Sequence, residues 1–259
     1  MEVPRLHIRE IEDMEQVPKF LRHGIVRNVS FAVEFAGVYD ELAEVFVEFL
    51  GKLKNNTLLD LASGYGGPVT TMLHAVKKRG IEPPRFVLSD FNPNIERFRF
   101  LSIEDSNISY FGGRVDAMDP QKEIRKYPRT MFDAIHHFTP ENAGKILKNA
   151  SEHSEGIFIA ESTDRALYQV PRAGIGCFLA SLISPFFMQP FSVKETVFTW
   201  AIPVIPLITA HDGAVSTFKR YTREEMWNII DSAGKNDFVW EVGELKRGVT
   251  YLVGYRNGD

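Results

Sequence analysis

Between Thr57 and Ile159 the chain alternates short apolar, strand-like runs with amphipathic stretches of helical spacing, and few architectures accept that rhythm. The runs are Thr57–Leu61, Phe86–Leu88, Ile108–Phe111, Phe132–Ile135 and Gly156–Ile159. Strands that each wait for a helix before the next strand pair in parallel through right-handed crossovers, so the expectation is an α/β, doubly wound, mostly parallel sheet. Pro68 suits the first turn of a helix that runs through Lys78 to Gly80, and Pro93 and Pro140 open the next helices after Asn92 and Thr139. Further on, Thr222 and Glu225 have the spacing of a capping box, and Gly234 ends that helix. Phe238–Val242 and Val249–Tyr255 flank a charged turn and read as a terminal antiparallel hairpin.

Two regions stand outside the alternation. Residues 1–51 read as an N-terminal helical cap, because Val33, Phe35, Val38, Leu42, Val45, Phe46 and Phe49 recur at helix-like spacing before Gly51. Residues 163–214 are aromatic and proline-rich where one more crossover helix is due, and they read as an apolar insertion after the fifth strand. Pro185, Pro190, Pro203 and Pro206 forbid a single continuous helix there. With 259 residues, the expectation is one domain spanning 1–259.

Composition narrows the partners. A net charge of −4 and a pI near 6.0 describe a mildly acidic chain without the clustered cations of a phosphate-backbone binder, so nucleic acid is not expected. Cys177 is the lone cysteine, which leaves no intrachain disulfide or thiolate cluster; together with a charged N-terminus this sets the expectation of a cytoplasmic protein. The most apolar run, 173–191, is interrupted by Gly174, Gly176, Pro185 and Pro190, which argues against a membrane span.

The segment Asp60-Leu61-Ala62-Ser63-Gly64-Tyr65-Gly66-Gly67-Pro68 leads from a strand through a glycine-rich turn into a helix. Such a turn lets the backbone approach a ligand, and the N–H groups at the helix start favour an anionic group. The second strand ends Ser89-Asp90-Phe91-Asn92, where Asp90 is placed to accept from both hydroxyls of a ribose. After the third strand come Asp116 and Ala117, suited to an exocyclic amine and the plane of an adenine.

These three stations resemble the class I S-adenosylmethionine-dependent methyltransferases, over roughly Thr57 to Glu161. The resemblance implies S-adenosyl-L-methionine as cofactor, held by Asp60, Ala62, Gly64, Tyr65, Gly66, Asp90, Asn92, Asp116 and Ala117, and a seven-stranded sheet in the order 3-2-1-4-5-7-6. In that family Asp60 often holds the cofactor's amino group, directly or through water. One departure is visible, since Ala62 stands where the family has a glycine.

His136 and His137 follow the fourth strand at the sheet edge where open α/β folds bind ligands. With an ordinary pKa of about 6.5, either can deprotonate an acceptor during transfer. The same pair also reads as one ring stacked on adenine and one loop residue. Adjacent histidines without a further ligand nearby do not make a metal site, so metal-independent chemistry is expected.

The expectation is therefore a methyltransferase acting on a small, apolar or aromatic acceptor by in-line displacement under an apolar lid. Two other readings stand beside it: a nicotinamide-dependent oxidoreductase, which shares the glycine turn and following acid, and a non-catalytic cofactor-binding interaction module. For the insertion the readings are a lid, a contact with a membrane surface or a second subunit, and a satellite core.

Overall fold

The structure is a computed structural model that describes residues 4–6, 8–234 and 237–256. Its seven strands are β1 (Thr57–Asp60), β2 (Arg85–Leu88), β3 (Ile108–Tyr110), β4 (Arg129–Phe132), β5 (Gly156–Glu161), β6 (Phe238–Glu244) and β7 (Thr250–Arg256). They form one sheet in the order β3-β2-β1-β4-β5-β7-β6. The first five are parallel neighbours, and β7 pairs antiparallel with both β5 and β6. This is the expected strand order, and the terminal hairpin lies where the sequence placed it.

Two compact units emerge, Met1–Val38 with Thr163–Arg220 and Tyr39–Ser162 with Tyr221–Asp259. The expected cap over 1–51 therefore divides. Helix α1 (Lys19–Phe35) belongs to the first unit and α2 (Leu42–Leu50) to the second.

In the sheet unit the helices are α2, α3 (Gly67–Lys78), α4 (Ile95–Glu104) and α5 (Pro140–His153), with a later helix over Arg223–Ser232. Period-two alternation sorts each strand between two cores. Leu59, Met131, Ile157, Ile159 and Leu252 pack with Ile146 and Leu147 of α5 and with Met226 and Ile229 of the Arg223–Ser232 helix. On the opposite face Phe46 and Phe49 of α2 meet Phe158 at centroid distances of 5.2 and 5.5 Å, and Phe46 also stacks on Phe86. Gly156 is required for that approach, because a Cβ there would lie 2.9 Å from the Phe49 ring and 3.0 Å from the Gly254 carbonyl.

Helix ends follow local chemistry. Thr139 Oγ1 accepts from Asn142 N, and the Thr222–Glu225 capping box forms in both directions. The cap of α4 differs from the expectation after Asn92: Asn94 accepts from Arg97 N at 3.2 Å.

The fourth strand also differs, occupying Arg129–Phe132 instead of Phe132–Ile135, while Ile135–His137 forms a 3₁₀ turn. Apolar patterning misses its start because the strand opens on a fully buried arginine. Arg129 Nη2 donates to Asn149 Oδ1 at 2.7 Å. Burial, reinforced by the neighbouring Arg125 charge, pushes the Arg129 pKa down to about 10.

The helical unit contains α1, α6 (Gln169–Ile183), α7 (Val193–Trp200) and α8 (Val204–Lys219), so the Arg223–Ser232 helix is α9. Pro185 lies in a 3₁₀ turn, Pro203 precedes α8 and Pro206 sits in its first turn, where no intrahelical N–H is missed. α8 runs past the expected boundary at Ala214. Small residues bring α6 and α8 together, since a Cβ on Gly174 would stand 3.2 Å from the Ala210 carbonyl.

Charged groups pin the N-terminal segment to this unit. Arg27 Nη1 meets Glu195 Oε2 at 2.6 Å and Lys219 Nζ meets Glu10 Oε1 at 2.7 Å. Asp212 accepts from the backbone of Ile11 and Glu12 at 2.8 and 3.0 Å.

Candidate active site

The sheet reverses its winding between β1 and β4, and the crevice outside the carboxyl ends of such strands is where open α/β folds bind ligands. Asp60 ends β1 at that point. Its Oδ1 accepts from Thr130 Oγ1 of β4 at 2.6 Å, and burial pushes its pKa up to about 7 against the opposing effect of hydroxyls on Ser63 and Thr130. The nearby Asp90 charge raises it further. A buried carboxyl in this condition gains from any cation brought beside it, which suits the ammonium of an amino-acid moiety.

The glycine turn is tied to the second station through its backbone. Gly64 N donates to Asp90 Oδ2 at 2.9 Å, while Asn92 N donates to Asp90 Oδ1 at 2.8 Å. Ser63 N donates to the Ser89 carbonyl and Val115 N to the Asp90 carbonyl, both at 2.9 Å. The three loops thus meet at Asp90, the glycine turn through its carboxylate and the third-strand loop through its backbone carbonyl. Each oxygen of Asp90 accepts one of these backbone donors and keeps a further lone pair for a hydroxyl.

Gly64 and Gly66 adopt left-handed φ of 53° and 78°. A Cβ on Gly66 would lie 2.6 Å from Leu101 Cδ1, so that glycine is fixed by packing as well as by conformation. Ala62 is left-handed too, at φ 53°. The departure from the family's glycine therefore falls where glycine is favoured and alanine costs about 1 kcal/mol. Tyr65 is buried, its ring covered by the Arg97 guanidinium at 4.2 Å, and its carbonyl accepts from Arg97 Nε. Its ring braces the loop.

At the third station Asp116 Oδ1 accepts from Met118 N at 2.9 Å, and Ala117 is buried. Phe91 and Arg114, one beside each acidic station, stack at 3.3 Å. They form a flat cation–π pair next to Asp90 that periodicity does not reveal.

His136 and His137 lie side by side with ring centroids 4.3 Å apart. Their environments differ. His136 is 2% exposed; its Nδ1 is 2.8 Å from Glu161 Oε2, and its backbone N donates to Glu161 Oε1 at 3.3 Å. A carboxylate on Nδ1 fixes the ring orientation and makes Nε2 the basic nitrogen. Glu161 ends β5 and was missed by sequence reasoning, although the rule that selected Asp60 and Asp90, an acid at a strand's carboxyl end, also selects it.

Asp133 is a second missed residue. It follows β4 with a left-handed φ of 49°, and its carboxylate accepts from Tyr39 Oη and from both N and Oγ of Ser162. These bonds hold a strained turn that leads directly into His136.

No family model matches the sequence, and no curated protein matches it. Solved structures do. The methyltransferase domain of the bacterial protein CtHen1-CN is 15% identical with a TM-score of 0.50, over 84% of this chain and 99% of that one. The plantazolicin methyltransferase BpumL in complex with SAH is 13% identical, with a TM-score of 0.48 over 90% and 85% of the two chains. The pyocyanin biosynthetic protein PhzM is 15% identical, with a TM-score of 0.45 over 78% of this chain. This chain spans only 50% of PhzM's length. With its strand order, the chain has the fold of the class I S-adenosylmethionine-dependent methyltransferases.

Proposed function

We propose that the protein is an S-adenosylmethionine-dependent methyltransferase acting on a small apolar or aromatic acceptor. The observation that carries this reading is the convergence of the glycine turn and the third-strand loop on Asp90, beside a buried Asp60 that lacks a cationic neighbour among its perturbing groups. When bound, the cofactor supplies an electrophilic methyl group on a sulfonium.

Asp60 takes the ammonium end and Asp90 the ribose hydroxyls. Asp116 and Ala117 receive the adenine, with Ala62, Gly64, Gly66 and the Asn92 segment shaping the walls. His136, aligned by Glu161, takes the proton that an acceptor hydroxyl or amine loses on attack, with His137 beside it as the alternative base.

Calorimetric titration of the purified chain with S-adenosylmethionine and with its demethylated product tests the reading. Saturable binding of both, weakened in Asp90→Ala, is expected. No heat with either compound at millimolar concentration overturns it.

A further inference from the structure

We infer that the helical unit carries a docking surface for an anionic bilayer. Phe35, Phe186, Phe187 and Trp200 are 64%, 70%, 64% and 47% exposed. They are contiguous: Phe187 lies 6.4 Å from Phe35 and Phe186 lies 5.0 Å from Trp200, measured between ring centroids. Leu179, Phe191, Val193, Val197, Ile202 and Leu207, all from the same stretch of chain, are also exposed. Water gains nothing from such a ridge, and aromatic side chains of this kind favour the headgroup level of a membrane.

Charge selects the occupant. From Ala166 to Ala210 the charged residues are Arg172, Lys194 and Glu195. Glu195 is bound to the buried Arg27 at 2.6 Å, which leaves two exposed cations, Arg172 in the first turn of α6 and Lys194 at the start of α7, and no exposed anion on this stretch. A second copy of the chain would bring the same cation-bearing stretch with no exposed anion of its own to meet it, whereas a negatively charged lipid surface attracts both cations.

The geometry fits lying on a membrane and not crossing it. Among the described residues no single helix is long and apolar enough to span. The bent pair formed by α7 and α8 has the requisite length and composition together, yet α8 buries Asp212 and Lys219 in contacts that hold the N-terminal segment. α8 is thereby committed to the interior of its own unit. The ridge ahead of it, from the 3₁₀ turn at Ser184–Phe186 through α7, is the part offered outward.

Co-sedimentation of the full chain with vesicles of phosphatidylcholine, alone or mixed with phosphatidylserine, tests the inference independently of methyl transfer. The protein should pellet with the mixed vesicles and far less with phosphatidylcholine alone, and Trp200 fluorescence should be quenched by brominated acyl chains. Phe186→Ser/Phe187→Ser/Trp200→Ser should abolish binding with unfolding temperature little changed, because these side chains are exposed. Arg172→Gln/Lys194→Gln should lower partitioning into the mixed vesicles roughly thirtyfold, at about 1 kcal/mol per cation. Equal binding to both vesicle types, no binding to either, or a concentration-dependent dimer dissolved by the aromatic substitutions would overturn it.

Discussion

In the sheet unit polar groups collect at the carboxyl ends of strands, where Asp60, Asp90, Asp133 and Glu161 each end or follow a strand. In the helical unit the arrangement is inverted: Arg27, Glu10, Lys219 and Asp212 are buried, while Phe186, Phe187 and Trp200 face outward. The first pattern concentrates charge where a ligand can use it. The second spends charge on holding distant segments together and leaves apolar surface for something outside the chain. Polarity alone therefore does not locate function; its position relative to backbone ends does.

The largest test of this contrast is Asp60→Asn. Asp60 titrates near 7 in the folded protein against 3.8 ordinarily, so the unfolded chain ionises first and the wild type loses stability as pH rises between those values. The substitution should be neutral at acidic pH and stabilising by on the order of 4 kcal/mol above pH 7 in urea unfolding. Cofactor affinity should fall in the same variant. Stabilisation without loss of affinity would detach Asp60 from the site.

In the helical unit a buried charge should behave oppositely. Arg27→Ala removes the buried half of the 2.6 Å ion pair with Glu195 and should destabilise by about 3 kcal/mol, read as faster amide exchange in α1, α7 and α8. Asp90→Ala comes next, with cofactor affinity weakened by about 2 kcal/mol in calorimetry. The smallest effect is expected at Ala62→Gly, which relieves a left-handed alanine and should stabilise by about 1 kcal/mol. A destabilised glycine variant would mean that the alanine methyl packs usefully.

Much of the sheet unit is legible in the sequence because backbone rules write it directly. Glycine marks left-handed turns, Thr139 and Thr222 mark helix starts, and period-two alternation marks strands sharing two cores. Legibility fails at β4, where Arg129 replaces an apolar residue at the buried start of a strand, and at the Glu161–His136 pair, whose partners lie 25 residues apart and meet only in the folded sheet. In the helical unit the prolines locate the breaks between helices. The division of the N-terminal region is not visible, because α1 and α2 share one apolar rhythm and only long-range partners such as Glu195 and Phe158 distinguish them.

The pairing of α1 with residues that follow β5 has a consequence for synthesis. Arg27 and Glu195 are 168 residues apart in the chain, and Lys219 and Glu10 are 209 apart. On the ribosome α1 therefore emerges long before its partners, and it waits with Ile25 and Phe31 unsheltered while the first five strands are translated. The helical unit cannot close before Lys219 has been made, and chaperone dependence should concentrate on its N-terminal helix.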